Sequence, residues 1–204
     1  VLCRILSKKY DVIVAPAAAV CQKTIPPEKL SELTYDISFG NDVTEETLMS
    51  VLLRNGYART EQVEGPGQFS IRGGITDFFP PDRTNPVRIE LWGDTVDTVS
   101  EFDPSTQRRF GSLKHCSIPP ANETVISDPE ALSKKLMQTA ARLRTEKSRK
   151  AKEKLEADAK AVSDGIRLGC ADKYLDAVYD APGLIFDYLP ENTKIFVSES
   201  ADVR

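Results

Sequence analysis

Three arginines, Arg59, Arg72 and Arg88, each fall inside a short run that reads as β-strand and sits among apolar residues. Glu90 follows Arg88 by two positions, so both point from the same strand face. A guanidinium on a sheet face can grip a carboxylate with two parallel hydrogen bonds. Two readings follow from the residues alone. The arginines and Glu90 form a contact surface for another protein, or they are solvated strand residues in local ion pairs, each worth little. Asp77, Glu90, Asp94, Asp97 and Asp103 show no calcium-loop spacing. Their place beside strand arginines suggests structural or interface ion pairs. The glycines of "GPGQFSIRGGITDFFPP" do not make a phosphate-binding loop, because no Gly-Lys-Ser/Thr follows at the needed spacing. They read as turn chemistry, with a bulge at Gly73-Gly74 that could aim Arg72 outward. The one histidine, His115, adjoins Cys116. Neighbours on a strand face opposite ways, so they make no catalytic dyad.

The elements that must carry these residues come next. Thr44 is a candidate N-cap for a helix over "EETLMSVLLR", with Leu48, Val51 and Leu52 on its inner stripe and Gly56 as its stop. Short alternating segments follow: "ARTEQV", "QFSIR", "ITDFF", "PVRIELW" and "TVDTVSEF". Their close spacing and tight turns predict an antiparallel sheet. Phe78-Phe79-Pro80 fits either core packing or an apolar contact beside the arginines; Tyr57 and Trp92 read as packing residues. On either side the pattern changes. Val12-Ile13-Val14-Ala15 and Ile195-Phe196-Val197 are unbroken apolar runs of the kind found in parallel strands buried on both faces. Asp128-Pro129 opens a long helical run from about Glu130 to Leu168, with a densely charged middle. The predicted organisation is a larger α/β domain, residues 1–26 and 118–204, interrupted by an antiparallel α+β guest over 27–117.

Composition narrows the function classes. The net charge of −4 argues against tight autonomous binding to a polyphosphate backbone, although the charged helix could touch one. The four cysteines are scattered without a C-x-x-C pair, as expected of free thiols in a reducing cytoplasm. With one histidine to help, no metal site is expected. No apolar run approaches the ~20 residues that span a bilayer, so no membrane association is expected. The start Val-Leu-Cys-Arg, without Met or a signal sequence, reads as an excised fragment.

The stretch "NGYARTEQVEGPGQFSIRGGITDFFPPDRTNPVRIELWGDTVDTVSEFDPSTQRR" closely resembles the UvrB-like module of bacterial transcription-repair coupling factors. The family pattern is G-Y-x-R, then P-G-x-F-x-x-R-G-G-I-x-D-x-F-P-P, P-x-R-I-E-x-x-G-D and F-D-x-x-T-Q-R. "DVIVAPAAAV" and "LIFDYLPENTKIFVSES" resemble the family's flanking segments, so the likeness runs end to end. The excinuclease subunit UvrB shares the module and is the alternative, as is a DNA-binding helicase accessory domain. The resemblance implies a UvrA-interaction domain inserted in a partial, degenerate helicase-like (RecA-like) domain without catalysis or cofactor. The parent it implies is a cytoplasmic translocase that uses ATP and Mg²⁺ on double-stranded DNA and releases stalled RNA polymerase. Carried over by motif position, the UvrA-binding residues are Arg59, Arg72, Arg88 and Glu90, with Phe79 as an apolar neighbour. UvrB has a further arginine where Ser70 stands. Ser198 occupies the place of the aspartate that an active motor pairs with Glu199, which implies a site without nucleotide.

Overall fold

A computed structural model describes residues 1–198. The chain divides into two compact units, Val1–Asn122 with the chain from Gly183 onward, and Glu123–Pro182.

The first unit opens with short helices α1 (Leu2–Leu6), α2 (Ala17–Val20) and α3 (Pro27–Leu33). Strand β1 (Tyr35–Ser38) precedes helix α4 (Glu45–Arg54). Strands β2 (Ala58–Arg59), β3 (Gln68–Arg72), β4 (Ile75–Phe78), β5 (Val87–Trp92), β6 (Thr95–Phe102), β7 (Arg109–Ser112) and β8 (His115–Ile118) follow. β2 to β7 form one six-stranded sheet in sequence order, and β1 pairs with β8 in a second. All pairings are antiparallel except β2 with β3, which run parallel.

Local chemistry explains why α4 lies where the sequence puts it. The Thr44 hydroxyl accepts from the Thr47 amide, satisfying one of the helix's free first-turn donors, and Glu45 and Glu46 favour its positive end. Gly56 stops the helix at φ +81. Leu48, Val51 and Leu52 are buried against Phe69, Ile71, Phe78, Val87, Ile89, Val96 and Val99, the inward residues of the sheet. Tyr57 completes this core, its ring edge-on to Phe78 and its hydroxyl donating to the Pro119 carbonyl at 2.9 Å.

The expected bulge at Gly73-Gly74 is instead the two-residue turn of the β3–β4 hairpin, with Arg72 opposite Ile75. Both glycines have positive φ, which a hairpin turn matching the strands' twist requires. The bulges lie further on, at Glu90/Leu91 in the β5–β6 pairing and at Ser100/Glu101 in the β6–β7 pairing.

Two predicted strands are absent. Val12–Ala15 and Ile195–Val197 make no ladder, and Val14 is 93% exposed. A strand needs a neighbouring backbone to satisfy its amides, and no strand of the described residues lies beside either run. The segments flanking the sheet do meet elsewhere. Thr24 and Gly183 form an isolated antiparallel bridge, and the Tyr188 hydroxyl donates to the Ile25 carbonyl.

In the second unit the long predicted helix is two: α5 (Pro129–Arg142) and α6 (Arg149–Ser163). Asp128 caps α5, its carboxylate accepting from the Ala131 amide. The chain then breaks at Leu143–Thr145, and Thr145 and Ser148 cap each other in the 3₁₀ turn that leads into α6. The break lets Leu132 and Leu136 bury against Ala159, Val162 and Tyr174, whereas one continuous helix would leave each stripe in water. A short helix, α7 (Leu175–Val178), follows.

Candidate protein-contact face

The six-stranded sheet buries one face under α4. Its opposite face is built by the alternate residues of each strand. One cross-strand row runs Ser70, Asp77, Arg88, Ser100. The next runs Arg72, Ile75, Glu90, Thr98. Trp92 lies one step further along β5, paired with Thr95.

The centre of this face is a carboxylate sealed from water. The Asp77 side chain is 1% exposed and Arg88 is 13% exposed. Arg88 grips it bidentately, Nε to Oδ1 at 2.6 Å and Nη2 to Oδ2 at 2.7 Å. The Arg88 guanidinium also stacks 4.6 Å from the centroid of Phe102. The hydrogen bond to Asp77, opposed by burial, raises the Arg88 pKa, so its charge is secure. Arg72 donates from Nη2 to Asp77 Oδ2 at 3.1 Å, yet 56% of its side chain remains exposed. Asp77 therefore anchors one buried arginine and orients a second that faces solvent. Beside them Arg109 Nη1 donates to Glu90 Oε1 at 2.7 Å.

One end of the face is closed. Val63, Phe79 and Phe102 form a small buried cluster, and Phe79 is only 7% exposed. Of the two readings of Phe79, packing is the one the structure supports. Ser70 is buried too, its hydroxyl donating to the Glu61 carbonyl at 3.0 Å. That position is roofed by its own chain. The loop after β6 explains the F-D-x-x-T-Q-R wording. Asp103 accepts from the Ser105 and Thr106 amides, and Gln107, at φ +59, donates to the Pro104 carbonyl at 2.7 Å.

Arg72, Arg88 and Glu90 thus share a face, but Arg59 does not join them. β2 is a two-residue edge strand running parallel to β3, and Arg59 stands opposite the inward Phe69. Its Nη1 lies 3.9 Å from Met49 Sδ of α4, on the helix side of the sheet. Trp92 also departs from the sequence reading. It is 84% exposed. The signal was present, since Arg88, Glu90 and Trp92 alternate on one strand. Arg109 carried no such signal, because its role depends on how β7 pairs. His115 is exposed and Cys116 buried on β8. Burial pushes the Cys116 thiol up to about 12, which keeps it inert. No cluster of three metal-ligating side chains occurs among the described residues. None of their helices is long and apolar enough to cross a membrane.

The family model of the UvrB interaction domain matches residues 35–123, from β1 to just beyond β8. Residues 35–123 belong to the UvrB interaction domain family. The contact face described above lies wholly within this UvrB interaction domain. Along its full length the chain is 35% identical to the transcription-repair-coupling factor of Bacillus subtilis (strain 168), of which it covers 18%. It is 33% identical to that of Myxococcus xanthus over 59% of this chain and 10% of the relative. The UvrABC system protein B of Symbiobacterium thermophilum is 30% identical over 60% of this chain and 19% of its own length. The chain therefore spans less than a fifth of each of these relatives. The resemblance to transcription-repair coupling factors read from the motifs agrees with these matches.

Proposed function

We propose that this chain is a non-catalytic module that recruits UvrA to a larger DNA-repair protein in transcription-coupled nucleotide excision repair. The observation that carries the reading is the exposed Arg72, oriented by a buried Asp77 on the open face of a UvrB interaction domain. A positioned guanidinium loses little freedom on binding and suits a carboxylate on the partner. Arg72 and the Glu90–Arg109 pair make the polar contacts. Arg88 works from beneath by holding Asp77, and Arg59 and Phe79 lie outside the contact. UvrA is the partner because the parent's repair role requires damage recognition to be delivered.

The segments flanking the domain belong, in this reading, to a degenerate RecA-like domain that longer chain completes. The bridge between Thr24 and Gly183 supports this, since it joins chain from both sides of the insertion. No nucleotide or metal is used within this chain. In the parent, ATP and Mg²⁺, movement on double-stranded DNA and release of RNA polymerase belong to other regions. A transcription-repair coupling factor is preferred to UvrB as parent because the Bacillus subtilis relative matches the whole chain, whereas the match to UvrABC system protein B of Symbiobacterium thermophilum covers 60% of it.

Titration calorimetry of the chain with UvrA tests the reading. Arg72→Ala is expected to weaken binding by ~2 kcal/mol or more. Arg59→Ala is expected to change it by less than ~0.5 kcal/mol. Equal affinities for wild type and Arg72→Ala would sink the site.

A further inference from the structure

Trp92 is the sole tryptophan of the chain and is 84% exposed. Leaving an indole in water forgoes one of the largest gains that burial offers a side chain. Its backbone is nevertheless fixed. Leu91 donates to the Gly74 carbonyl at 2.8 Å, and Val43 donates to the Asp94 carbonyl at 2.7 Å. The Thr95 hydroxyl donates to Asp42 Oδ1 at 3.0 Å. The hairpin turn at Gly93 is thus pinned on both sides, and the indole is displayed from a rigid platform.

Its position is as telling as its exposure. Two residues along a strand span roughly 7 Å, and neighbouring strands lie about 4.8 Å apart. Trp92 is one such step beyond Glu90, and Arg72 is two strands across from Glu90. The Trp92 and Arg72 Cα atoms are therefore about 12 Å apart by this geometry, well within one ~800 Å² contact patch. Arginine and tryptophan are the residues most enriched at interface hot spots.

We propose that Trp92 is the apolar anchor of the UvrA contact, entering a hydrophobic slot on the partner that lies about 12 Å from the carboxylate taken by Arg72. The proposal rests on the UvrA reading above and deepens it. It commits to a partner surface with an apolar slot and an acidic rim, complementary to this face. Glu90 borders both anchors, in the row of Arg72 and one step along β5 from Trp92, while its partner Arg109 reaches it from β7 on the far side of β5.

The single tryptophan gives a selective probe. The chain is labelled with 5-fluorotryptophan, so that its ¹⁹F spectrum contains one resonance. UvrA is then added, and affinities of Trp92→Ala, Trp92→Phe and Arg72→Ala are measured. The expected result is a ¹⁹F shift or broadening on adding UvrA and a loss of about tenfold or more for Trp92→Ala. Trp92→Phe should stay within about threefold, because a second aromatic ring fills much of the slot. Melting temperatures should match wild type, since the ring touches no core. An unmoved resonance with Trp92→Ala at wild-type affinity, while Arg72→Ala still loses affinity, overturns the anchor and leaves the UvrA reading standing. A wild-type chain that does not bind UvrA removes both. A resonance that moves with chain concentration alone assigns the indole to a second copy and overturns the proposal.

Discussion

Asp77 organises the contact face because it is the one carboxylate there with no route to water. Removing it strands the Arg88 charge beneath the surface. Breaking a buried pair from one side commonly costs ~3–5 kcal/mol. Asp77→Ala is therefore expected to lower the denaturation midpoint sharply, and Asp77→Ala with Arg88→Met to recover much of the loss. Urea unfolding of the three proteins checks this. A single mutant as stable as wild type would show that the pair does not hold the sheet. Cys116 gives a second residue-scale test. Its thiol is buried and raised to about 12, so a thiol reagent at neutral pH should leave it unmodified in the folded chain while the exposed Cys21 and Cys170 react. Mass mapping reads the outcome. At this scale the sequence made Arg72, Arg88 and Glu90 legible as one face, because alternation along a strand is local. Arg59 was misplaced because the sequence carries no signal that β2 runs parallel to β3, the pairing that sets Arg59 opposite the inward Phe69. Trp92 was misread because aromatic type suggested packing, although its spacing from Arg88 put it on the open face.

The helix α4 was legible down to its caps, since Thr44, Gly56 and the apolar stripe are all local signals. The hairpin β3–β4 was legible as a turn but not as this turn. Gly74 sits at φ +82, and an added Cβ would approach the Leu91 carbonyl oxygen to 3.4 Å. Gly74→Ala is expected to destabilise the domain by ~1–2 kcal/mol, measured by thermal melting. The split between α5 and α6 was not legible, because charged residues fit a solvated helix as well as a helix end; the hairpin forms because both apolar stripes need cover. Asp158 pins it. Burial would raise the pKa of this carboxyl, but hydrogen bonds from Lys154, Lys173 and Tyr174 outweigh burial and hold it at about 2. A depressed carboxyl contributes stability that is fully present above its unfolded value near 4 and is lost as pH falls through about 2. The helical signal of the second unit should therefore weaken as pH falls from about 5 to 2, and Asp158→Asn should flatten that dependence. A pH profile unchanged by the mutation would contradict the assignment.

Across the whole molecule, two apolar stretches remain exposed, Val12–Ala15 and Ile195–Val197. The sequence signalled strands there, and the missing ingredient is backbone to pair with. The chain covers 10–19% of the relatives it matches. In a longer chain the amides of Val12–Ala15 should gain hydrogen-exchange protection that they lack here. Three of the five basic residues of α6 sit beside carboxylates on it or in the turn before it, Arg149 beside Glu146 and Glu153, Lys152 beside Glu156 and Lys154 beside Asp158. Together with the net charge of −4, this points to a protein partner rather than a phosphate backbone. The most direct measurement is competition: fluorescently labelled chain bound to UvrA, titrated with UvrB, which carries the same kind of domain. The account predicts a complex that unlabelled UvrB displaces. No complex at tens of micromolar, or a complex that excess UvrB leaves intact, would contradict it.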